Sequence, residues 1–209
     1  MLLFSIVLHE VAHAWVARRE GDDTAHRLGR ITLNPIPHLD PVGSVMVPLV
    51  LAALPGSFIF GWAKPVPVNP HRFRGGAWSD IRVSMAGIVV NLLLAVAFAG
   101  LLAVLVPLGE TMGAAAVDIL VTVAFYGILI NLILAVFNLI PIPPLDGSHV
   151  LQHLLPRRAR AMYRQVGRYG ILVLLGVLFL APGGFRIIMA PVELLASVLL
   201  AAVGLGAFA

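Results

Sequence analysis

The chain has 209 residues, of which 60% are hydrophobic and 11% are charged, and its mean hydropathy is +0.99. About a quarter of the residues of a soluble domain are charged, so this composition excludes an ordinary soluble protein and predicts a polytopic membrane protein. Cysteine is absent, which excludes disulfides and thiolate ligands, so any metal site must use histidine, aspartate or glutamate. The net charge of +4 comes from basic residues grouped in loops, which indicates membrane orientation, and we expect no nucleic-acid partner.

Six apolar segments follow one another along the chain. They cover residues 1–18, 42–62, 83–107, 117–140, 169–181 and 187–208. A membrane-spanning helix needs roughly twenty apolar residues. The pattern therefore predicts an all-α fold with about five transmembrane helices, because the second segment does not fit a single crossing.

The loops between these segments differ in charge. Loops 18–40, 63–82 and 156–168 are rich in arginine, whereas loop 108–116 contains no lysine or arginine. Basic loops stay in the cytoplasm, so the first three are predicted to be cytoplasmic and the last to be outside. Segment 42–62 then has a cytoplasmic loop on both sides and cannot cross the membrane once.

We expect segment 42–62 to enter the membrane and return as a re-entrant element, because Pro48, Pro55 and Gly56 would break a helix there. The alternative is a hairpin lying at the membrane interface. The next stretch, FIFGWAKPVPVNP at residues 58–70, combines aromatic and β-branched residues with prolines at a spacing typical of an edge strand, and predicts a short β-edge hairpin.

The first apolar segment contains the sequence HEVAH. His9 and His13 are four residues apart, so they share one face of a helix and can hold one zinc ion, with Glu10 beside them as general base. The alternative is a pair of structural histidines inside a helix bundle, but Glu10 would then need a separate explanation.

A catalytic zinc site takes three protein ligands, so a third must come from elsewhere in the chain. The acidic candidates in or near apolar segments are Asp118, Asp146 and Glu193. Asp146 lies in NLIPIPPLDGSHV, where three prolines interrupt an apolar run, and it precedes the basic residue Arg157 by about as much as His9 precedes Arg18. Asp146 therefore matches the histidines in depth, and broken backbone at membrane depth indicates a functional cavity.

HEVAH and NLIPIPPLDG together resemble the site-2 protease family of intramembrane zinc metalloproteases, and GRITLNPIPHLDPVG and FGWAKPVPVN are similar to its small prokaryotic branch. The resemblance covers residues 1–155. It implies that His9, His13 and Asp146 bind Zn²⁺ and that Glu10 is the base. It also implies one metalloprotease domain over 1–209, with C-terminal helices at 169–208 and no PDZ or nucleotide-binding module.

Two asparagines match the family pattern as well. Asn138, eight residues before Asp146, is implied to help at the site, where its amide could be an oxyanion donor or could equally satisfy the broken backbone around the prolines. Asn91 in SMAGIVVN resembles another family asparagine and is expected to bind substrate.

The resemblance implies cleavage of a transmembrane segment in a single-span protein of the cytoplasmic membrane, with the site in the cytoplasmic half of the lipid bilayer. The alternative is a metal ion or proton transporter using the same His and Asp cluster, but a transporter would place polar groups through both leaflets. We expect His149 and His153 to be interfacial histidines rather than a second metal site, and His38 to be solvated in its loop.

Overall fold

A computed structural model describes residues 1–53, 61–112, 114–179 and 183–206. Within these ranges the chain is helical and contains no β-strand, which confirms the predicted all-α class. The α-helices are α1 (Leu2–Arg19), α2 (Thr24–Arg27), α3 (Val47–Ala53), α4 (Ala77–Met112), α5 (Ala114–Leu139), α6 (Asp146–Leu154), α7 (Arg157–Gly167), α8 (Gly170–Phe179) and α9 (Gly184–Ala202). A π-helical stretch, Pro41–Met46, leads directly into α3.

Three of the described helices are long and apolar enough to cross a membrane. They are Ala77–Gly109 in α4, Val117–Leu139 in α5 and Gly184–Ala202 in α9. The structure therefore supports a multi-pass membrane protein. Of the predicted five or so transmembrane helices, three are found among the described residues. Helix α1 carries Glu10, Arg18 and Arg19 within its 18 residues, and α8 has only 10 described residues.

The core lies where α4, α5 and α9 pack together. Ala95 and Ala99 of α4 meet Ala124 and Ile128 of α5, and Leu200 of α9 packs on the same cluster. Small side chains let helices approach closely, which is the usual basis of packing within a membrane. The outer faces of the bundle carry exposed apolar residues suited to lipid, including Leu93, Val104 and Ile119.

Helix α1 is fastened to the start of α4 by a polar contact at its C-terminal end. The Glu20 carboxylate accepts a hydrogen bond from the Ser79 hydroxyl at 2.5 Å and forms an ion pair with Arg82 Nε at 2.8 Å. Gly21 then turns the chain with φ of 111°, a conformation that favours glycine at a helix end. This arrangement holds the HEVAH helix beside α4.

The two ends of segment 42–62 meet each other. Trp62 donates its backbone N–H to the Gly43 carbonyl at 3.1 Å, and the Ser44 hydroxyl donates to the Trp62 carbonyl at 2.8 Å. A Cβ at Gly43 would lie 2.3 Å from the Trp62 ring, so glycine is required for this contact. The expectation that Pro48 breaks a helix is wrong, because it lies in the first turn of α3, where proline is tolerated. Pro55 and Gly56 lie outside the described residues, and the re-entrant element stays a prediction.

The predicted β-edge hairpin is not found in the part of 58–70 that the structure describes. Residues 58–60 lie outside the described ranges, and residues 61–69 form no helix and no strand. Residues that precede a proline favour extended backbone, so we call 61–69 the extended segment after the residues before Pro65, Pro67 and Pro70. The Lys64 amide donates to the His38 carbonyl at 2.9 Å and the Val66 amide to the Glu10 carboxylate at 2.7 Å, so these donors point at scattered acceptors rather than a neighbouring strand. Three positions lack an N–H altogether, namely Pro65, Pro67 and Pro70.

The expectation that His38 is solvated is wrong. Its side chain is fully buried, and its Nε2 lies 3.0 Å from the Thr32 carbonyl oxygen. His38 therefore fixes the loop after α2, and its own carbonyl holds the extended segment through Lys64. Residue type alone does not reveal this burial, because it depends on the extended segment returning over the loop.

Candidate metal centre

Two histidines on one face of α1 meet at their ring nitrogens. His9 and His13 are 7% and 8% exposed, and their Nε2 atoms lie 2.9 Å apart. Their four-residue spacing brings them together because successive turns of an α-helix stack side chains at i and i+4. The predicted pairing of the two imidazoles is therefore present in the fold.

Asp146 brings a carboxylate to the same point. It is the first residue of α6, and its Oδ2 lies 3.2 Å from His9 Nε2 and 3.3 Å from His13 Nε2. Asp118 and Glu193, the other acidic candidates, are exposed on α5 and α9. Among the described residues, His9, His13 and Asp146 are the one group of three His, Asp or Glu side chains with metal-binding proximity.

Hydrogen bonds behind the two rings fix which nitrogens face Asp146. His13 Nδ1 lies 2.7 Å from the Val83 carbonyl oxygen, and His9 Nδ1 lies 3.3 Å from Asn91 Oδ1. Both partners are acceptors, so each neutral ring carries its proton on Nδ1 and presents an Nε2 lone pair.

Three atoms with lone pairs therefore converge, namely the Nε2 atoms of His9 and His13 and Oδ2 of Asp146, and none of them carries a proton to share with the others. Asp146 Oδ2 is shielded from solvent and has no hydrogen-bond donor within the described chain. Such a cluster is repulsive unless a cation lies at its centre. Tetrahedral zinc ligands at about 2.0–2.1 Å from the ion lie roughly 3.3 Å from one another, close to the separations seen here. The donor set therefore fits Zn²⁺.

Glu10 points to a different partner from its histidine neighbours. Its carboxylate is half-buried, and Oε2 accepts the Val66 N–H at 2.7 Å. The Val66 side chain is itself buried against Ala14 of α1 and Ala25 of α2. The extended segment thus holds one oxygen of Glu10 in place.

One stripe of α4 supports the two histidines from behind. Val83, Gly87 and Asn91 recur at helical spacing, and the first and last provide the acceptors for His13 and His9. Gly87 lies between them, where an added Cβ would be 2.5 Å from His13 Nε2. The need for glycine at position 87 was not predicted from the sequence, although the small residues Ala86 and Gly87 in SMAGIVVN are the signal that could have indicated a close approach.

Comparison with known proteins gives the family. Residues 99–181 match the family model described as Peptidase family M50. A Bacillus subtilis (strain 168) protein named "Putative zinc metalloprotease YwhC" is 43% identical over 183 residues, covering 88% of this chain and 80% of the relative. The chain belongs to peptidase family M50. This is the site-2 protease family, so the resemblance drawn from the two motifs is confirmed.

Two mycobacterial proteins are also similar, both named "Putative zinc metalloprotease Rip2". The Mycolicibacterium smegmatis protein is 35% identical over 185 residues, and the Mycobacterium tuberculosis (strain H37Rv) protein is 36% identical over 181 residues. Each match covers 86% of this chain and 65% of the relative, so the chain spans about two thirds of their length. No solved structure matches the chain significantly.

The two asparagines carried over from the M50 pattern take different positions. Asn91 is completely buried behind His9, and its Oδ1 contacts that ring. This geometry favours orienting His9, while binding of substrate by Asn91 stays a prediction. Asn138 is half-buried and donates its side-chain amide to the Leu134 carbonyl at 3.0 Å within α5. Its action at the site likewise stays a prediction.

We expect Gly87→Ala to displace the histidines and remove most of the metal. The new Cβ would lie 2.5 Å from atoms of both His9 and His13, and both rings are held by α4 hydrogen bonds. The measurement is zinc content per chain of the purified variant, with a thermal midpoint to report folding. Gly100→Ala is the matched control in the same helix, because its Cβ would meet no atom within 4 Å. Normal zinc content in Gly87→Ala would contradict the close packing described here.

Proposed function

We propose that this M50 family member is an intramembrane zinc metalloprotease, with His9, His13 and Asp146 as the zinc ligands and Glu10 as the general base. The observation that carries the proposal is the convergence of two Nε2 lone pairs and a carboxylate oxygen within 3.3 Å of one another. The similar proteins are each named "Putative zinc metalloprotease", and these names support the same metal. When bound, zinc lowers the pKa of a water molecule and polarises a carbonyl group.

Glu10 is suited to move the proton of the reaction. It follows His9 directly in sequence, and its carboxylate is half-buried, so it can accept a proton beside the ligands while staying accessible to water. The Val66 N–H holds Oε2, which leaves Oε1 to take a proton from the attacking water and to deliver it to the leaving amine. Because the donor is a backbone N–H, a displacement of the chain at Val66, rather than a change of its side chain, would affect how the base is aimed.

The proposed substrate is the transmembrane segment of a single-span membrane protein. A helix must open into an extended strand before a peptide bond can be attacked. Segment 61–69, whose prolines favour extended backbone, contacts Glu10 through the Val66 N–H, which supports an extended course for the substrate beside it. Because the amides of Lys64 and Val66 are already used, the segment acts as a wall of the site rather than as a free strand edge. Asn138 is proposed as an oxyanion donor, a role that requires it to leave the Leu134 carbonyl.

The proposed location is the cytoplasmic membrane, with about five crossings and the metal centre in the cytoplasmic half. Three apolar helices and the family support a multi-pass protein. The remaining crossings are assigned to α1 and to the apolar residues of α8. His9 and His13 precede the basic end of α1 by about two and a half and one and a half turns, which supports the depth proposed for the centre.

The topology is tested by cysteines placed in a protein that has none of its own. We expect Trp78→Cys and Met162→Cys, two exposed positions, to react with an impermeant thiol reagent from the cytoplasmic side. Thr111→Cys, at the end of α4 in the stretch 108–116 that has no lysine or arginine, is expected to react from the opposite side. Labelling of positions 78 and 111 from the same face would overturn the re-entrant assignment of 42–62.

The transporter alternative lacks a matching arrangement. Its expected polar path through both leaflets is not seen along the described parts of α4 and α5, whose buried polar residues beyond Asn91 include Asn131. Asn131 donates to the Gly127 carbonyl of its own helix. The direct test of the protease is reconstitution of the purified chain in vesicles with a single-span reporter. We expect two products with new ends inside the reporter's membrane segment, identified by mass spectrometry.

A further inference from the structure

A second polar cluster lies beside the metal centre, between α4 and the later turns of α6. The Asp80 carboxylate is 10% exposed, and its Oδ2 lies 2.7 Å from His153 Nε2. His149 Nδ1 and Gln152 Nε2 each approach the same oxygen at 3.5 Å. All three partners come from α6. One buried carboxylate of α4 therefore contacts three polar side chains on one face of α6.

That face of α6 also carries the proposed metal ligand. Asp146, His149 and His153 are spaced by three and seven residues, which places them along one side of the helix. On α4, Asp80 and Gly87 are likewise seven residues apart, and Gly87 packs against the metal histidines. Seven residues span about 10.5 Å in each helix. The two helices therefore run in opposite directions with two attachment points at matching separations.

We propose that Asp80 is a positioning residue for the metal centre, which with His153 sets the register of α6 along α4 and so holds Asp146 at His9 and His13. The proposal rests on the proposed role of these three residues as zinc ligands. Asp80 does not touch the ligands; it acts through the rigid two turns of α6 that separate His153 from Asp146.

The local structure explains why α6 needs this attachment. The helix has only nine residues, which is too short to be stable alone, and it begins after an irregular stretch containing Pro141, Pro143 and Pro144. A slip of one residue would move Asp146 by about 1.5 Å and turn it by about 100°. Metal ligands tolerate errors of roughly 0.2 Å, so such a slip would break the site.

Helix α7 also holds the C-terminal end of α6, through Arg160. Arg160 donates to the carbonyls of His153 and Leu155 at 3.1 and 3.2 Å, which satisfies the C-terminal end of α6. His153 Nδ1 is buried without a hydrogen-bond partner in the described chain, so the Nε2 bond to Asp80 is the polar contact that orients this ring. Loss of that bond leaves a buried carboxylate facing α6 without its closest donor.

The test measures zinc affinity in the full-length purified protein by competition with a chelator. We expect Asp80→Leu and His153→Leu each to weaken zinc binding by about 10-fold, the lower end of the 10–100-fold range found when a direct partner of a metal ligand is lost, because this contact acts through two turns of α6. His153→Gln should stay near wild type, because the glutamine amide can donate from the position of His Nε2. The visible spectrum of the Co²⁺-loaded protein should change in the two leucine variants and not in His153→Gln. The Asp80→Leu/His153→Leu double variant should be no worse than either single one, since both break the same contact.

Leu200→Ala separates positioning from general destabilisation. Leu200 is buried in the α5–α9 core, so this variant lowers the thermal midpoint without touching α6. Equal loss of zinc affinity in Leu200→Ala, or unchanged affinity and Co²⁺ spectrum in Asp80→Leu, would overturn the positioning role. If Asp80→Leu does not fold, the comparison of His153→Gln with His153→Leu decides by the same criterion. A wild-type chain that binds no zinc would instead contradict the proposed function.

Discussion

Glu10→Gln is expected to abolish cleavage of a single-span reporter while the protein keeps its zinc and its fold. Glutamine has the shape of glutamate, and its side-chain oxygen can still accept the Val66 N–H, so the contact at 2.7 Å is preserved. It cannot take up a proton, and loss of a general base lowers the rate by about 10²–10⁴-fold. The measurement is reporter cleavage in vesicles, with zinc content and thermal midpoint of the same preparation.

Glu193→Gln is the matched control for this variant, because it makes the same chemical change at an exposed position of α9. It should cleave at the wild-type rate. Cleavage by Glu10→Gln at the wild-type rate would remove Glu10 as the base. The transporter alternative predicts a third pattern, in which zinc flux into liposomes depends on Glu10 and no peptide is cut by either protein.

The second large effect is expected from Asp146→Ala, which should lose most of the roughly one zinc per chain that we expect in the wild type. The variant leaves two imidazoles and removes the only anionic ligand, whereas a catalytic zinc site needs three protein ligands. The loss of affinity should exceed the roughly 10–100-fold typical of a missing outer partner. His9→Ala and His13→Ala should behave in the same way.

Asp118→Ala provides the control for Asp146→Ala, since Asp118 was the other aspartate considered as third ligand and is exposed on α5. Its zinc content should match that of the wild type. Full zinc in Asp146→Ala, measured by metal analysis after dialysis, would exclude Asp146 as a ligand and would require a different third residue. Cleavage should fall together with zinc in each ligand variant, which distinguishes them from Glu10→Gln.

The metal cluster was accessible to sequence reasoning because its parts are local. The HEVAH spacing fixes two ring positions on one helix face, and the prolines before Asp146 indicate broken backbone at a similar depth. The structure brings these three side chains together. The partners behind them were harder to find, since Val83 contributes a backbone carbonyl and Gly87 contributes only the absence of a side chain.

The extended segment, in contrast to the metal cluster, was not predicted correctly from its sequence. Its β-branched residues favour a strand, but strand formation requires a neighbour with matching donors and acceptors. Here the Val66 amide donates to Glu10 and the Lys64 amide to His38, two partners that lie far away in sequence. Composition reports what a segment favours, whereas its pairing depends on which elements fold beside it.

The sequence by itself determined the membrane class, the all-α architecture and the family, because hydropathy, helical spacing and short motifs are properties of neighbouring residues. Only the tertiary structure decided the contacts between distant segments. Asp80 and His153 are 73 residues apart. No local pattern predicts that a carboxylate at the start of α4 contacts the face of α6 that also carries Asp146. Such a contact forms because two helices pack in one register, and that register is set by the whole bundle rather than by either helix alone.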